Sequence, residues 1–394
     1  MSQREALPPG PLSGQTVVEF AGMGPAPFCG MLLADMGARV IRIDRPPSSS
    51  GSPEFDALLQ PGPHDILGRG KASVAVDVKR SGGRDVVLRL LEKADALVEG
   101  YRPGVMEKLG LGPDVVLSRN RRIVYGRMTG WGQHGPLATT AGHDLNYLAL
   151  SGALHMSGRA GSPPVAPPAM LGDFGGGGMM LAFGMVCALL SARANGQGQV
   201  VDAAIVDGAA LMTTMFRSLR HLGLWRDETG ANFIDSGAHF YEVYRCADGR
   251  YVAVGAIEPN FFRLVVEKAG LDESILESPF ESSRWPERKA ALADAFATKD
   301  RDEWEALFCG TDACVAPVLS LSEAPEHPHA RARKAFYEVD GAFHAQPAPR
   351  FSRTEPATPS PPPSRAGEHT ASVLGAFDFS EDEIHRLRSE GTVS

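Results

Sequence analysis

The chain is short of cysteine, of long apolar runs and of positive charge. Its five cysteines, Cys29, Cys187, Cys246, Cys309 and Cys314, are odd in number and contain no CxxC pair. A chain of 394 residues buries a core without covalent staples, so these read as reduced thiols of a cytoplasmic protein. The most apolar stretch, 179–190, carries Gly184 and is well short of the ~20 residues that a membrane span needs. It reads as a buried helix, and no membrane partner is expected. The opening MSQREALPPGPLSG has no apolar core of a signal peptide, and the closing TVS is not a peroxisomal address. A formal net charge of −8 argues against nucleic acid as a partner. His327 and His329 have no third ligand at zinc-site spacing, so no metal is expected. Internal repeats and heptads are absent too.

What is present is an alternation of short β-branched runs and helical patterns. Residues 16–20 (TVVEF) read as a strand, 28–36 as a helix and 39–43 (RVIRI) as a second strand, which makes a parallel βαβ unit. Strands at 73–78, 96–98, 122–127 and 199–203 continue the pattern, with a helix at 85–93 and a turn at 101–104. Such an order predicts an α/β fold whose mostly parallel sheet is covered on both faces. An apolar helix follows Asp173 as far as Asn195-Gly196, and another spans 205–222. Beyond the polar stretch 225–237 the character changes. Strands 240–244 and 251–254 form an antiparallel pair, followed by helices near 260–270, 286–298 and 301–308. The expected organisation is a large Rossmann-like domain over 1–225, a smaller α+β domain over 226–320, and a return segment over 321–394 that completes the large one. Within that segment, Pro-rich 345–366 reads as an extended strap. Helix 381–389 is capped by Ser380, with Glu383 placed for a capping box. Residues 46–63, rich in Pro, Ser and Gly, read as a surface loop.

Gly22 and Gly24 after the first strand invite a dinucleotide reading. The third glycine of G-x-G-x-x-G falls at Pro27, however, and Arg45 directly follows Asp44. The loop therefore reads as Rossmann-like architecture without a nicotinamide cofactor. Two other places carry chemistry. His143 precedes Asp144 at the start of a helical stretch, where a helix N-terminus favours a neutral, proton-accepting imidazole. Asp173 precedes four glycines, 175–178, at the head of an apolar helix. A carboxylate there is ordinarily an N-cap. Four glycines are not explained by capping, since each weakens a helix by up to ~1 kcal/mol. They suggest close approach of a substrate or of another chain's backbone, and helix-start N–H groups suited to an oxyanion. Glu258, past a strand and before Pro259, reads locally as a turn residue. Arg45, Lys79 and Arg102 lie at strand ends, as surface charge or as anchors for a phosphorylated ligand.

The stretches LSGQTVVEFAGMGPAPFCGMLLADMGARVIRIDRP, EGYRPGVMEKLGLGP, GRMTGWGQHGP, AGHDLNYLALSG, GDFGGGG, GQVVDAAIVDG, YRCADGRYVAVGAIEP and TDACVAPVL together resemble the α-methylacyl-CoA racemases of the family III CoA-transferase superfamily. The resemblance runs in order from about Leu12 to the last helix. It implies an interlocked homodimer with active sites between subunits. It also implies interconversion of (R)- and (S)-2-methylacyl-CoA thioesters by proton transfer through an enolate, without a cofactor, CoA being part of the substrate. Residue by residue, it makes His143 and Asp173 the catalytic pair and Glu258 the partner of the histidine. It assigns CoA-ester contacts to Arg45, to Val76, Asp77, Val78 and Lys79, and to Gly142, Asp144, Leu145, Asn146 and Tyr147, with Arg102 a further contact to the phosphates. The stretch after Arg45 is longer than in animal members. True CoA transferases of the superfamily use the aspartate as a nucleophile and generally lack a histidine at the position of His143, so the presence of both favours proton transfer. The alternatives are a CoA transferase with Asp173 as acyl acceptor, and a non-catalytic acyl-CoA-binding protein.

Overall fold

A computed structural model describes residues 9–46, 62 and 64–394; most of the Pro/Ser/Gly-rich stretch 46–63 lies outside them. The chain forms two compact units, each discontinuous in sequence. The first comprises Met1–Ser151, Pro168–Met212 and Lys334–Ser394, and the second Gly152–Pro167 and Thr213–Arg333. Their edges differ from those expected at 225/226 and 320/321. Residues 152–167 join the second unit because Ser236 Oγ donates to Gly158 O and Thr229 Oγ1 donates to His155 O.

The first unit is built on a six-stranded sheet in the order β3-β2-β1-β4-β5-β6. The strands are β1 Thr16–Phe20, β2 Arg39–Asp44, β3 Lys71–Ala75, β4 Ala96–Glu99, β5 Val124–Thr129 and β6 Val200–Ala204. Every pairing is parallel. Period-2 alternation explains why both faces are dry. Val18, Phe20, Ile41 and Ile43 point into one core with the helix Ser81–Glu92 and the C-terminal helices. Val17, Val40, Ala96 and Val124 point into the other, with the helices Pro25–Asp35 and Met180–Asn195.

β3 is an edge strand, and the returning C-terminus satisfies it. His369 N–H donates to Ser73 O, Thr370 Oγ1 accepts from Ala75 N–H, and Val393 bridges Val76. Strand 73–78 of the sequence reading therefore ends early: beyond Ala75 the chain pairs with its own tail. The helix Glu381–Ser389 is as expected, and Ser380 Oγ takes the Glu383 N–H at 3.2 Å. The return segment also holds a hairpin, β10 Phe336–Val339 with β11 Ala342–Ala345, and a helix, Thr370–Ala376, that the sequence pattern does not announce.

The glycine segment is not a helix start. Met170–Met179 is a π-helix that runs into the α-helix Met180–Asn195. Together they make an apolar helical run, Met170–Asn195, long enough by length and composition to cross a membrane; 39% of its most apolar window is buried. The helix Met180–Asn195 is thus only half buried. Leu181, Met185 and Leu189 face the sheet, while Phe183 and Leu190 stand 68% and 69% exposed. The glycines serve packing within the chain. A Cβ on Gly176 would stand 2.7 Å from Ala209 N, one on Gly208 1.8 Å from Gly176 O, and one on Gly178 2.7 Å from Pro25 O. The neighbouring helices are Ile205–Met212 and Pro25–Asp35. The expected room for a substrate is therefore filled, at 176–178, by backbone.

The second unit carries a three-stranded antiparallel sheet, β7 Tyr241–Arg245, β8 Tyr251–Gly255 and β9 Val315–Pro317. The helices Pro259–Ala269, Trp285–Phe296 and Arg301–Phe308 cover it around Trp304, Phe296 and Phe240.

Gly208→Ala forces a methyl into a carbonyl oxygen and should cost about 3 kcal/mol or more. Gly375→Ala, inside the helix Thr370–Ala376 with nothing within 4 Å, should gain about 0.5–1 kcal/mol. Urea denaturation midpoints separate the two, and equal midpoints would contradict the close packing.

Candidate active site

In a sheet of this order the loops leaving β1 and β4 diverge, and a crevice opens at the C-terminal edge. Basic residues gather along that edge. Arg45 follows β2 and is exposed; Lys79 lies in the turn after β3; Arg102 lies in the turn after β4, where Val105 N–H bonds to Arg102 O. Beneath this turn, the Glu99 carboxylate accepts the Tyr101 N–H at 2.7 Å and Arg127 Nε at 3.0 Å. Burial pushes Glu99 up to about 7, against the pull of the Tyr101 N–H and Arg127.

His143 stands just before the helix Asp144–Ser151. Its carbonyl accepts the Asn146 N–H at 2.8 Å, and its own N–H donates to Asn146 Oδ1 at 3.0 Å. That reciprocal clasp fixes the backbone and leaves the imidazole exposed. Asp144, only 8% exposed, turns inward, and its Oδ1 accepts the Asp173 N–H at 2.7 Å. The Asp173 carboxyl faces the start of the first helix: a Cβ on Gly24, whose φ is 71°, would lie 3.5 Å from Oδ2. Burial, and then the charge of Asp144, push Asp173 up to about 6, while His143 pulls it down. The charge of His143 is thus felt at the Asp173 carboxyl. Tyr147 O–H donates to Gly142 O, and its ring meets Trp131 edge-on at 4.7 Å. His143, Tyr147, Trp131 and Arg102 line a cavity of about 210 Å³. That is smaller than the ~300 Å³ at which small-molecule pockets begin.

The crevice brings together Gly142, His143, Asp144, Tyr147 and Asp173 and places Arg102 beside them. Leu145 and Asn146 are exposed on the same helix. Val76 differs from its expected role: its side chain is 1% exposed and packs in the core. Asp77 accepts from Lys79 N–H and Arg80 Nε, Val78 is half-buried, and Lys79 is exposed. Asp173 is not an N-cap; it lies inside the π-helix, where its N–H is held by Asp144. Glu258 belongs to the second unit. It is exposed at the start of the helix Pro259–Ala269, and its backbone O, not its side chain, accepts the Phe261 and Phe262 N–H groups. Its charge, after burial, raises the thiol of Cys314.

Sequence reasoning missed Glu99, Tyr101, Trp131 and Gly130. A Cβ on Gly130 would fall 2.0 Å from the Tyr147 ring. The run TGWG after a strand was the available signal for the last two.

A family model described as CoA-transferase family III matches residues 12–370. The chain is 46% identical to a Mus musculus protein named alpha-methylacyl-CoA racemase over 386 residues, 97% of each chain. It is 44% identical to the Homo sapiens protein of that name over 381 residues, 96% of each. Among solved structures, a CAIB/BAIF family protein from Brucella suis has a TM-score of 0.77 at 24% identity, covering 94% of this chain and 100% of that one; it speaks for the fold.

Asp173 also carries a stability signature. Its carboxyl is raised in the folded chain, so ionising it opposes folding, fully above about pH 6 and not at all below the ordinary value of 3.8. Asp173→Asn removes that penalty. The variant should be more stable than the parent at pH 8 by on the order of 1–2 kcal/mol after allowance for solvent screening. The gap should close toward pH 4. Thermal melts across that range check it; a gap independent of pH contradicts the raised carboxyl.

Proposed function

This chain belongs to CoA-transferase family III, and on that footing we propose that it is an α-methylacyl-CoA racemase, which interconverts the (R) and (S) epimers of 2-methylacyl-CoA thioesters. The observation that carries the reading is a raised carboxyl, Asp173, close enough to the His143 imidazole to feel its charge. A thioester makes its α-proton acidic by delocalising the carbanion as an enolate. One base removes the proton, and an acid on the opposite face returns one. His143 takes it from the (S) substrate while protonated Asp173 delivers its own. In reverse, ionised Asp173 takes the proton and protonated His143 returns one. A carboxyl held near 6 surrenders its proton far less readily than an ordinary aspartic acid, which brings it toward the range of an imidazole partner. The chemistry calls for no cofactor. Arg45, Lys79 and Arg102 hold the phosphates of CoA, and that remote binding orients the thioester.

We assign Glu258 as the acid that tunes His143. The protein works as an interlocked homodimer, each chain completing the other's site. The exposed apolar face of Met180–Asn195, with Phe183 and Leu190, supports a second copy as its cover. Five free thiols suit a reducing cytoplasm.

Incubation of an (S)-2-methylacyl-CoA in D2O should give α-deuteration together with epimerisation, with no acceptor acid present. His143→Ala and Asp173→Ala should each lose at least about a hundredfold in rate; near-full activity in both would sink the site assignment. An anhydride trappable by hydroxylamine and dependent on a second acid would mean acyl transfer instead, and binding without exchange would mean a carrier. For the dimer, Phe183→Glu combined with Leu190→Glu should yield monomers in light scattering. A parent chain that is itself monomeric would refute the interlocked assembly.

A further inference from the structure

One side chain at the crevice follows His143 in sequence, bonds to Asp173 and has no place in the reaction proposed above. Asp144 follows His143 directly, at the head of the helix Asp144–Ser151. Its carboxylate crosses to the π-helix and takes the Asp173 N–H at 2.7 Å. The chain makes room for this contact: a Cβ on Gly172 would stand 2.2 Å from Asp144 Oδ1. With the side chain 8% exposed and turned inward, little of the carboxylate is open to a ligand, although sequence resemblance placed this residue among the CoA contacts.

We propose that Asp144 is a positioning residue that sets both the place and the proton affinity of Asp173, tying the acid–base group of one helix to the histidine that opens the other. The proposal rests on the reading of Asp173 as a proton-transfer group. Two effects act through one carboxylate. The hydrogen bond fixes the Asp173 backbone. The negative charge, held beside a second carboxylate, makes ionisation of Asp173 harder. The charges that act on Asp173 are Asp144 and His143, both at the start of the same helix, with the Tyr147 phenol close by. The other elements packed against the π-helix carry Cys29 and Asp35 (helix Pro25–Asp35), Cys187 and Arg193 (helix Met180–Asn195), Asp207 (helix Ile205–Met212), Tyr125 and Arg127 (β5) and Asp202 (β6). None of these is among the causes that shift Asp173.

Asp144→Asn separates the two effects, because the amide keeps a carbonyl oxygen for the Asp173 N–H and loses the charge. Two readouts on the full-length protein test it. In protein labelled with [4-13C]aspartate, the Asp173 carboxyl resonance, assigned by its loss in Asp173→Asn, should titrate near 6 in the parent and about one pH unit lower in Asp144→Asn. For the (R) substrate, whose proton Asp173 takes, the acid limb of kcat/KM should move down by a similar interval. Asp144→Ala loses the acceptor as well and should drop kcat about a hundredfold, with Asp144→Asn recovering most of the loss. A midpoint and acid limb unchanged in Asp144→Asn would overturn the proposal, as would equal losses of kcat in the two variants. The labelled titration needs no turnover. A parent that fails to exchange the α-proton therefore discards the racemase reading alone, and the midpoint shift still decides the role of Asp144.

Discussion

The backbone contact of Gly176 with Gly208 decides where Asp173 stands. A Cβ on either residue would overlap main-chain atoms of the other helix, so the two helices meet at a distance only glycine permits. On its other side the π-helix presses against Pro25 and Phe28. Held from two directions, it presents Asp173 to the start of the first helix on one side and to Asp144 on the other. The wide turns of a π-helix cost hydrogen-bond geometry, and such segments gather at functional sites. Here the cost falls where a carboxyl sits beside a carboxylate; a regular helix start, with its N–H groups directed at the acid, would instead stabilise the ionised form.

Charges in the first unit divide into two populations by the same logic of place. Lys71 and Glu19 are wholly buried and paired at 2.7 Å, and Arg69 and Asp35 are buried and paired at 2.6 Å. Arg127 is tied to Glu99 and Glu107. Removing one member of such a pair leaves an uncompensated charge in low dielectric, so these are structural commitments. Arg45, Lys79 and Arg102, by contrast, are exposed at the C-terminal ends of β2, β3 and β4. The Glu99–Tyr101 contact joins the populations, since a buried carboxylate anchors the turn that carries Arg102. Fixed, paired charges thus lie beneath exposed basic side chains at this edge of the sheet.

Periodicity made the sheet legible. β1 was bounded correctly from TVVEF alone, and the other strands of the large sheet were found within a few residues, because burial on both faces leaves near-continuous apolar runs. The hairpin at 336–345 was missed because its strands are short and half-exposed, so no alternation marks them. The glycines were misread for a physical reason. A sequence shows that something must come close to 175–178, but not that Gly208 supplies it from the same chain. Asp173 was found for its neighbours, although it stands inside a π-helix and not at the head of a regular one. Val76 was carried over as a contact, although its side chain belongs to the core. Tertiary electrostatics lay further out of reach. That Asp144 faces Asp173 across 29 positions follows from helix packing, which local pattern does not encode.

That last contact bears on which chemistry the crevice favours. A carboxylate that attacks a thioester works as a nucleophile only when ionised and gains little from exchanging its proton. A carboxyl that must give a proton in one direction and take it in the other works best when both states are within reach near neutrality. Setting a like charge beside Asp173, in a partly buried place, raises the energy of the ionised state and leaves the neutral one nearly untouched. His143 acts on that carboxyl in the opposite sense, as the smallest of the causes that shift it. One proton shared between two such groups is the resting condition that a 1,1-proton transfer requires.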